Sequence, residues 1–376
     1  MMKILFIHNT ISEYRIKFMQ ILAKNVDIKF LITSPHLAYN IYGSYNEDKK
    51  MGMNIKELQS KTHIFDIVST VRESNYDIIV LPPVDDFYQF FCGILTILSK
   101  KKNSKIIYWS EGWQKGQLPL IKRCKKCVQG IMKRILFAHC DLFIASGSKA
   151  AYYFKNMGIE ERKIRIAYDS STSPTSNIIN IRQIYNLPED SQIVLFLGRL
   201  VARKGCDILI KAFDKLAQTF TKAYLLIGGD GKYRLVCEDI ASHCNYSDRI
   251  KFIGKVSPKD RATFYSESDV FVLPSYALGG TIEAWGLTVN EALEQGTPVV
   301  ATDVVGAAYD LLDGKCGMMV RENNIDELSN AISYFLIKMK ADKKTMNTIC
   351  KKKYKKYSID NMANSFINAF KDCYTK

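Results

Sequence analysis

The stretch DVFVLPSYALGGTIEAWGLTVNEALEQGTPVVATD, residues 269–303, decides the fold of this 376-residue chain. Its first apolar run, 270–273, stops at Pro274, and its second, 299–301, follows Gly296-Thr297-Pro298. A glycine-containing loop and a short helical pattern lie between the two runs. Because short apolar runs bounded by Gly and Pro are typical of buried strands, the stretch predicts a strand, a loop, a helix and a second strand.

Two carboxylates in this stretch, Glu283 in the loop and Glu291 on the helix, are separated by seven residues. If the helix begins near Gly286, its first N–H groups and the positive end of its dipole face the loop that carries Glu283. Such a unit combines a site for an anion with two acceptors for hydroxyl groups, which suits a phosphorylated sugar. Most carboxylates are only solvated surface charges, but the position of Glu283 between a Gly-Gly turn and a Trp-Gly pair favours a functional role.

Strands and helices are predicted to alternate throughout the chain. The predicted strands are residues 3–7, 26–33, 77–81, 105–109 and 141–145 in the first half, and 193–197, 223–227 and 250–253 in the second half. Helical patterns lie between them, and the almost wholly apolar segment 87–98 predicts a buried helix. This alternation indicates parallel sheets with helices on both faces. The predicted fold class is α/β, with two facing, Rossmann-like, doubly wound domains and a ligand cleft between them.

The predicted domain boundary lies in the polar segment SSTSPTSNIIN, residues 170–180. The chain is long for a single core, so two domains are expected. We predict a first domain over 1–173 and a second over 181–357. A last helical pattern, in 358–376, is predicted to return to the first domain.

The composition excludes several classes of protein. With 47% hydrophobic and 24% charged residues, long disordered tracts are not expected. The ten cysteines have no repeated spacing, and Cys124-x-x-Cys127 lacks a second pair to complete a zinc site, so reduced thiols and no metal are expected. No signal peptide precedes the first strand, and no apolar run approaches the length of a membrane span, so a cytoplasmic location is expected.

The positive charge is concentrated in the first half of the chain. The net charge is +15, and residues 1–173 contain 26 Lys and Arg against 15 Asp and Glu. Within them, residues 118–137, LPLIKRCKKCVQGIMKRILF, combine six basic residues, no acidic residue and apolar residues at helical spacing. The pattern suits a helix on an anionic membrane surface, although a core helix with a solvated basic face explains it equally well. Nucleic acid is not an expected partner, because no aromatic-basic recognition pattern is present.

Two glycine-containing loops follow predicted strands of the second half. The loop 198–207, GRLVARKGCD, places Arg199 and Lys204 at the carboxyl end of its strand, where they can neutralise a pyrophosphate. Basic residues in a loop are more often merely solvated, but the anion site predicted beside them favours phosphate binding. The second loop, GGDG at 228–231, is a weak signal, and we expect it to have a mainly structural role.

Taken as a set, these motifs resemble the nucleotide-sugar domain of the family 4 glycosyltransferases, which are retaining enzymes of the GT-B architecture. The segments that carry the resemblance are FLGRLVARKGCDILIKAF, LLIGGDG, IKFIGKV, SDVFVLPSY, EAWGLTVNEALEQGTPVVAT and GKCGMMV. They span roughly 193–320 and follow that family's order, including its E-x7-E motif. The resemblance implies a GT-B fold and an enzyme of the bacterial cell-surface polysaccharide type.

The resemblance also implies how the donor's phosphates are bound. Arg199 and Lys204 would bind the diphosphate and stabilise the charge that develops as it leaves. The backbone N–H groups around Gly286, Leu287 and Thr288 would hold the distal phosphate. No metal and no other cofactor is then required.

For the rest of the donor, the resemblance implies that Glu283 accepts hydroxyls of the transferred sugar and Glu291 those of the ribose. The main chain near Ile253 and Val256 would face the base, and Gly198 would border the donor.

The first half matches that family less well. It has no Gly-rich turn after the first strand, and the strand KIIYWS runs into Glu111, which is a candidate to contact donor or acceptor. Equally open is that Glu111 only pairs with a nearby lysine. His8, at the end of the first strand, is a weaker candidate, since a histidine beside a strand is as often structural. Asp85 and Asp86 rank lower still.

The leading hypothesis is a retaining, metal-independent hexosyltransferase that moves a sugar from a nucleotide-sugar, with UDP as the expected nucleotide, to a lipid-linked or glycan acceptor. Its expected location is peripheral, on the inner face of the cell membrane. A dinucleotide-dependent oxidoreductase is a weaker alternative, because Ile7-His8-Asn9 opens no G-x-G-x-x-G turn. A non-catalytic nucleotide-sugar-binding or membrane scaffold protein is the third.

Overall fold

The chain forms two compact units in a computed structural model that describes residues 2–36, 52–84, 86–113, 115, 120–173 and 179–375. Unit 1 comprises Met1–Trp113, Leu118–Asp169 and Ile359–Lys376. Unit 2 comprises Gln114–Gln117 and Ser170–Ser358. The sequence places the boundary at 173, whereas the compact units divide between Asp169 and Ser170.

Unit 1 is built on a seven-stranded sheet in the order β3-β2-β1-β4-β5-β6-β7, and every pair of neighbours is parallel. The strands are β1 (Lys3–His8), β2 (Asp27–Ile32), β3 (Asn54–Glu57), β4 (Ile78–Leu81), β5 (Lys105–Ser110), β6 (Leu142–Ala145) and β7 (Ile164–Ile166). The helices are α1 (Glu13–Asn25), α2 (Asp66–Arg72), α3 (Phe87–Ser99), α4 (Leu120–Phe137), α5 (Ser148–Asn156) and, at the C-terminus, α13 (Ile359–Tyr374).

The central strands of unit 1 are apolar because helices cover both faces of the sheet. Ile4 and Phe6 of β1 pack in one core with residues of α1 and α13, and Leu5 and Ile7 pack in the other with residues of α2, α3 and α4. The C-terminal helix α13 therefore belongs to unit 1.

Unit 2 has a six-stranded parallel sheet in the order β10-β9-β8-β11-β12-β13. The strands are β8 (Gln192–Leu197), β9 (Ala223–Gly228), β10 (Ile250–Gly254), β11 (Val270–Leu273), β12 (Val299–Thr302) and β13 (Gly317–Val320). The helices are α6 (Ile181–Ile184), α7 (Cys206–Ala217), α8 (Arg234–Ser242), α9 (Arg261–Glu267), α10 (Leu287–Gln295), α11 (Gly306–Leu311) and α12 (Ile325–Lys356), the last interrupted by a non-helical residue at Asp342.

The prediction of two parallel, doubly wound α/β units is confirmed. The strands β3, β7 and β13 were not predicted, because these edge strands are only three or four residues long and lack a buried apolar run. The prediction of a buried helix at 87–98 is wrong for Phe87, Phe91 and Leu98, which are 62%, 53% and 73% exposed. The fully buried residues of α3 are small or polar, and its other large apolar residues are partly buried against the core.

Candidate functional site

The carboxyl ends of β8 and β11 bring two loops of unit 2 together. The strands are neighbours, and the loops 198–205 and 274–286 follow them directly. The N–H of Tyr276 donates to the carbonyl of Arg203 at 2.9 Å. Gly205 has φ 69°, and a Cβ there would lie 1.9 Å from the carbonyl oxygen of Pro274. Only glycine lets the two backbones approach this closely.

The contact between these loops ends in a cluster of one carboxylate and two cations. Arg203 Nη1 and Lys204 Nζ donate to Glu283 Oε2, at 2.7 Å and 2.6 Å. The three side chains are only 12–20% exposed. The predicted site residues Lys204 and Glu283 are therefore in direct contact, and Arg203 is a third member that the sequence did not single out.

Burial and charge act against each other in this cluster. Burial alone raises the pKa of Glu283, but the charges of Lys204 and Arg203 outweigh it and lower that pKa. Burial lowers the pKa of Lys204, an effect that Glu283 opposes and that the positive charges of Arg203 and Arg199 reinforce. Arg199 itself is exposed. The cluster and the nearby Arg199 together place three positive charges beside one carboxylate. This excess of positive charge suits a polyanionic ligand.

The backbone of Glu283 is also fixed in position. Its N–H donates to the carbonyl of Val304 at 3.2 Å, and its own carbonyl accepts from Gly306 at 3.1 Å. Gly286 has φ 99°, and a Cβ there would meet Val305 Cγ1 at 2.8 Å, so this residue lets the loop turn into α10. The carboxylate is therefore held on a rigid loop at the start of that helix.

Helix α10 begins at Leu287, directly after this loop, as the opening stretch predicts. The first N–H groups of a helix have no acceptor within it, so those of Leu287 and Thr288 are available to an anion. Both residues are partly exposed.

Glu291 lies one turn further along α10 and is 5% exposed. Tyr265 Oη donates to its Oε2 at 2.9 Å, and Ser171 Oγ donates to its Oε1 at 3.1 Å. Burial raises its pKa, although Arg261 and these two hydrogen bonds act in the opposite direction. Ser171 and Tyr265 were not predicted, because they lie 120 and 26 residues away along the chain.

The residues assigned to the base side lie at the ends of β8, β9 and β10. Gly228 lies close to these residues, since a Cβ there would lie 3.1 Å from Val256 Cγ2 and 3.3 Å from Ile253 Cδ1. The N–H of Gly198 donates to the Gly228 carbonyl at 3.0 Å. Ile253, Val256 and Gly198 therefore form one neighbourhood, and the 228–231 loop supports it.

In unit 1, Glu111 takes part in a buried ion network. Arg15, 4% exposed, binds both Glu111 and the fully buried Asp169, with 2.7 Å between its Nη2 and Asp169 Oδ2. Burial lowers the pKa of Arg15, but the two carboxylates outweigh it and raise that pKa. The Arg15 guanidinium also stacks on Trp109, 4.8 Å from the ring centre. One partner of Glu111 is thus an arginine 96 residues away along the chain.

His8 adjoins this network, with its ring centre 5.4 Å from that of Trp109. Its Nδ1 lies 2.8 Å from the carbonyl oxygen of Thr10. Burial and, to a smaller extent, the charge of Arg15 lower its pKa from 6.5 to about 4. His8 is therefore neutral at pH 7.

This pKa predicts a loss of stability on acidification. Between pH 6.5 and 4 the unfolded chain binds a proton at His8 that the folded chain does not, so stability falls as pH falls. From pH 7 to pH 5 this amounts to about 2 kcal/mol. Urea unfolding at pH 7 and pH 5 measures this loss. We expect the free energy of unfolding to fall by about 2 kcal/mol less in His8→Gln than in the wild type. The exposed His139→Gln is the control, and equal losses in all three proteins would refute this account of His8.

Lys115, a residue of unit 2, was not predicted to have a role. Its Nζ lies 2.7 Å from Asp303 Oδ2 and 3.0 Å from Glu322 Oε1. Glu322 Oε2 accepts the N–H of Ala277 at 2.6 Å. The three charges thus brace the loop that carries Glu283 at its other end.

The remaining candidates have simpler outcomes. Asp86 caps α3 and accepts from the N–H of Gln89 at 2.9 Å, which is a structural role. Asp85 lies outside the described residues. In the described part of the chain, no three metal-binding side chains lie close enough to share an ion. None of the described helices is long and apolar enough to span a membrane.

Comparison with known proteins gives a family match for part of the chain. Residues 177–355 match the model described as Glycosyl transferases group 1. An uncharacterized glycosyltransferase of Methanocaldococcus jannaschii is 28% identical over 62% of this chain and 56% of its own. The lipopolysaccharide core biosynthesis glycosyltransferase LpsE of Rhizobium meliloti is 30% identical over 52% of this chain and 54% of its own. A GDP-mannose-dependent alpha-(1-6)-phosphatidylinositol monomannoside mannosyltransferase of Mycobacterium tuberculosis is 31% identical over 42% of this chain and 41% of its own. The chain spans about half the length of these relatives.

Solved structures match the whole chain at low identity. A glycosyltransferase from Rickettsia africae superposes with a TM-score of 0.74 and 17% identity, covering 99% of this chain and 98% of that one. The structure of Anabaena HepE in complex with UDP superposes with a TM-score of 0.74 and 18% identity, and the match covers 99% of this chain and 100% of that one. These likenesses show that the two parallel-sheet units have the GT-B fold.

Proposed function

We propose that the protein is a glycosyltransferase, because residues 177–355 match the family model described as Glycosyl transferases group 1. It moves a sugar from a nucleotide-sugar to a lipid-linked or glycan acceptor, with retention of configuration and without a metal. The observation that carries the proposal is the cluster of Glu283 with Lys204 and Arg203 at the start of α10. It joins an excess of positive charge, helix N–H groups and a rigid acceptor for hydroxyls at one place.

The cluster supplies what the departure of a nucleoside diphosphate needs. Negative charge grows on the diphosphate as the sugar leaves, and fixed cations and helix N–H groups stabilise that charge without reorganising. We assign Lys204 and Arg199 to the diphosphate, and the N–H groups of Gly286, Leu287 and Thr288 to its distal phosphate. Arg203 is an additional member of the site, and it shares Glu283 with Lys204.

Glu283 is assigned to the transferred sugar. Both of its ion-pair bonds end on Oε2, so Oε1 is the oxygen that would accept a sugar hydroxyl. Because the pKa of Glu283 is lowered, the group is an ionised acceptor at neutral pH. The ion pair also limits the orientations of the carboxylate, which favours one position of the sugar ring.

The nucleoside is assigned to the neighbouring strand ends. The ribose hydroxyls would meet Glu291, whose carboxylate is oriented by Tyr265 and Ser171. The main chain near Ile253 and Val256 would lie against the base, with Gly198 beside it. In this proposal, one edge of unit 2 would accommodate base, ribose, diphosphate and sugar in that order.

We propose that the acceptor hydroxyl attacks the transferred sugar on the same face from which the diphosphate leaves. The configuration of the sugar is then retained. In that geometry the departing phosphate oxygen can accept the proton of the acceptor hydroxyl. No carboxylate is assigned as a nucleophile, so no covalent intermediate is proposed. Glu111, held by Arg15 with 37% of its side chain exposed, is assigned a contact with donor or acceptor.

The expected donor nucleotide is UDP, as in the UDP complex of Anabaena HepE. The name of the mycobacterial relative specifies GDP-mannose instead, so both nucleotides belong in the test. A lipid-linked or polysaccharide acceptor agrees with the names of the mycobacterial and Rhizobium relatives. The basic helix α4 of unit 1 would hold the protein on the inner face of the cell membrane.

A thermal-shift screen of nucleotide-sugars tests the proposal. A donor that binds only the folded protein raises the melting temperature, and at 100 times its Kd it adds about 2.7 kcal/mol of stability. We expect at least one UDP- or GDP-sugar to raise the melting temperature by several degrees, and NAD to have no effect. The same donor should be consumed when acceptor is present. Stabilisation by NAD alone would contradict the proposal, and binding without consumption would indicate a scaffold.

A further inference from the structure

Helix α3 of unit 1 exposes three large apolar side chains, while its other large apolar residues are partly buried against the core. Its buried residues are small or polar: Gln89, Cys92, Gly93, Thr96 and Ser99. Its exposed residues include Phe87, Phe91 and Leu98, at 62%, 53% and 73% exposure. A surface helix of a water-soluble domain normally exposes polar or charged residues at such positions.

Specific contacts determine this orientation. The buried Gln89 accepts from Thr33 Oγ1 at 2.9 Å and donates to Ser34 Oγ at 3.1 Å, so its amide is satisfied inside the protein. Gly93 lies against α4, where an added Cβ would meet Leu136 Cδ1 at 2.8 Å. A larger residue at this position would require the Leu136 side chain to move. The small and polar residues of α3 therefore lie closest to the core, with Phe90 and Leu95 partly buried beside them.

The neighbouring helix α4 also exposes apolar side chains. Val128, Ile131 and Ile135 are 43%, 54% and 44% exposed, and α3 and α4 are in contact. Helix α4 has six basic residues and no acidic residue, while α3 has no charged residue at all. Among the described basic side chains of α4, Arg123 and Arg134 are exposed, so positive charge accompanies the uncharged apolar residues.

We propose that α3 and α4 together form a membrane-docking face, on which Phe87, Phe91 and Leu98 insert into the interfacial region of an anionic bilayer. The inference rests on the proposed function, since a lipid-linked acceptor would be met at that surface. Phe and Leu side chains favour the boundary between headgroups and acyl chains, and basic residues beside them attract anionic headgroups. The positive charge of α4 selects an anionic bilayer over an uncharged protein surface as the occupant.

Co-sedimentation with vesicles tests this face on the full-length protein. Wild type is compared with the triple variant Phe87→Ser, Phe91→Ser, Leu98→Ser, on vesicles of phosphatidylcholine with or without phosphatidylglycerol. We expect wild type to bind the vesicles that contain phosphatidylglycerol and the triple variant to bind at least about tenfold more weakly. The control variant Leu235→Ser, Val236→Ser removes two exposed apolar residues from α8 of unit 2 and should bind like wild type.

Two further comparisons assign the effect. Replacing Arg123 and Arg134 of α4 by Gln should weaken binding at low salt and leave a smaller salt dependence, as expected for an electrostatic contribution. If the triple variant binds vesicles as wild type does, the proposed face is wrong. If wild type is a dimer in solution that the triple substitution dissociates, the face binds a second copy of the chain, and the lipid proposal is also wrong.

The outcome is separable from that of the proposed function. The substituted side chains are exposed and lie in unit 1, so the triple variant should keep the wild-type melting temperature and the same donor-induced stabilisation. Donor binding by a protein that ignores all vesicles would refute the docking face and leave the glycosyltransferase proposal standing. Vesicle binding through α3 without any donor binding would refute the proposed function and support the face alone.

Discussion

Replacement of Lys204 by methionine should lower turnover about 100- to 1000-fold, the usual effect of removing one group that stabilises developing negative charge. Methionine keeps most of the apolar stem but removes the ammonium that contacts Glu283 Oε2 at 2.6 Å. Arg203 remains as a partner for that carboxylate, so the fold should persist with a cooperative melting transition. Initial rates at saturating donor are the measurement.

The control for this substitution is Lys215→Met. Lys215 lies on α7 with its side chain 57% exposed and forms only a surface ion pair with Asp326, which contributes little to stability. Its turnover should equal that of wild type. Lys204→Arg should recover part of the lost activity, because it restores the charge with a different shape. A Lys204→Met enzyme that turns over at near wild-type rate would remove Lys204 from the site.

The second large effect is expected for Glu283→Gln, which should lower turnover by about 100-fold or more. The amide keeps the size of the side chain but loses the charge that neutralises Lys204 and Arg203. The lysine, whose pKa is already lowered by burial, then loses the partner that opposes this shift. Glu283→Gln therefore weakens the contact with the sugar and also makes the protonated form of Lys204 less favourable.

Stability and a matched carboxylate separate this effect from unfolding. Glu238→Gln removes one member of a surface pair with Arg234 on α8 and should have wild-type turnover. Glu283→Gln should still unfold in one cooperative transition, at a lower temperature because two poorly exposed cations lose their partner. Loss of activity only in proportion to unfolded protein would show that Glu283 has a structural role alone.

Much of the architecture could be predicted because apolar runs in this chain are short, separate and bounded by Gly or Pro. The rule that parallel strands end at one edge also places Lys204 and Glu283, 79 residues apart, in one site. Their direct pairing was not predicted. Motif positions assign the lysine to phosphate and the carboxylate to sugar, but two opposite charges that are both largely buried require each other as partners.

Other features depend on contacts that spacing does not encode. Glu111 is paired by Arg15, which approaches from α1, and Glu291 is held by Ser171 from the segment predicted as a linker. The orientation of α3 was missed for a different reason. Phe87–Ser99 is apolar on most of its surface, so periodicity does not show which side faces inward. The buried side includes Gly93, which lies close to Leu136 of α4, and Gln89, which bonds to Thr33 and Ser34.

The central claim is that unit 2 binds a nucleoside diphosphate-sugar at the cluster of Glu283, Lys204 and Arg203. Isothermal titration calorimetry of the wild type and Lys204→Met with UDP, GDP and NAD tests it most directly. We predict that wild type binds UDP or GDP at one site, that Lys204→Met binds the same nucleotide at least about tenfold more weakly, and that NAD gives no heat of binding. Binding of NAD in place of both diphosphates, or equal affinity of wild type and Lys204→Met, would contradict the claim.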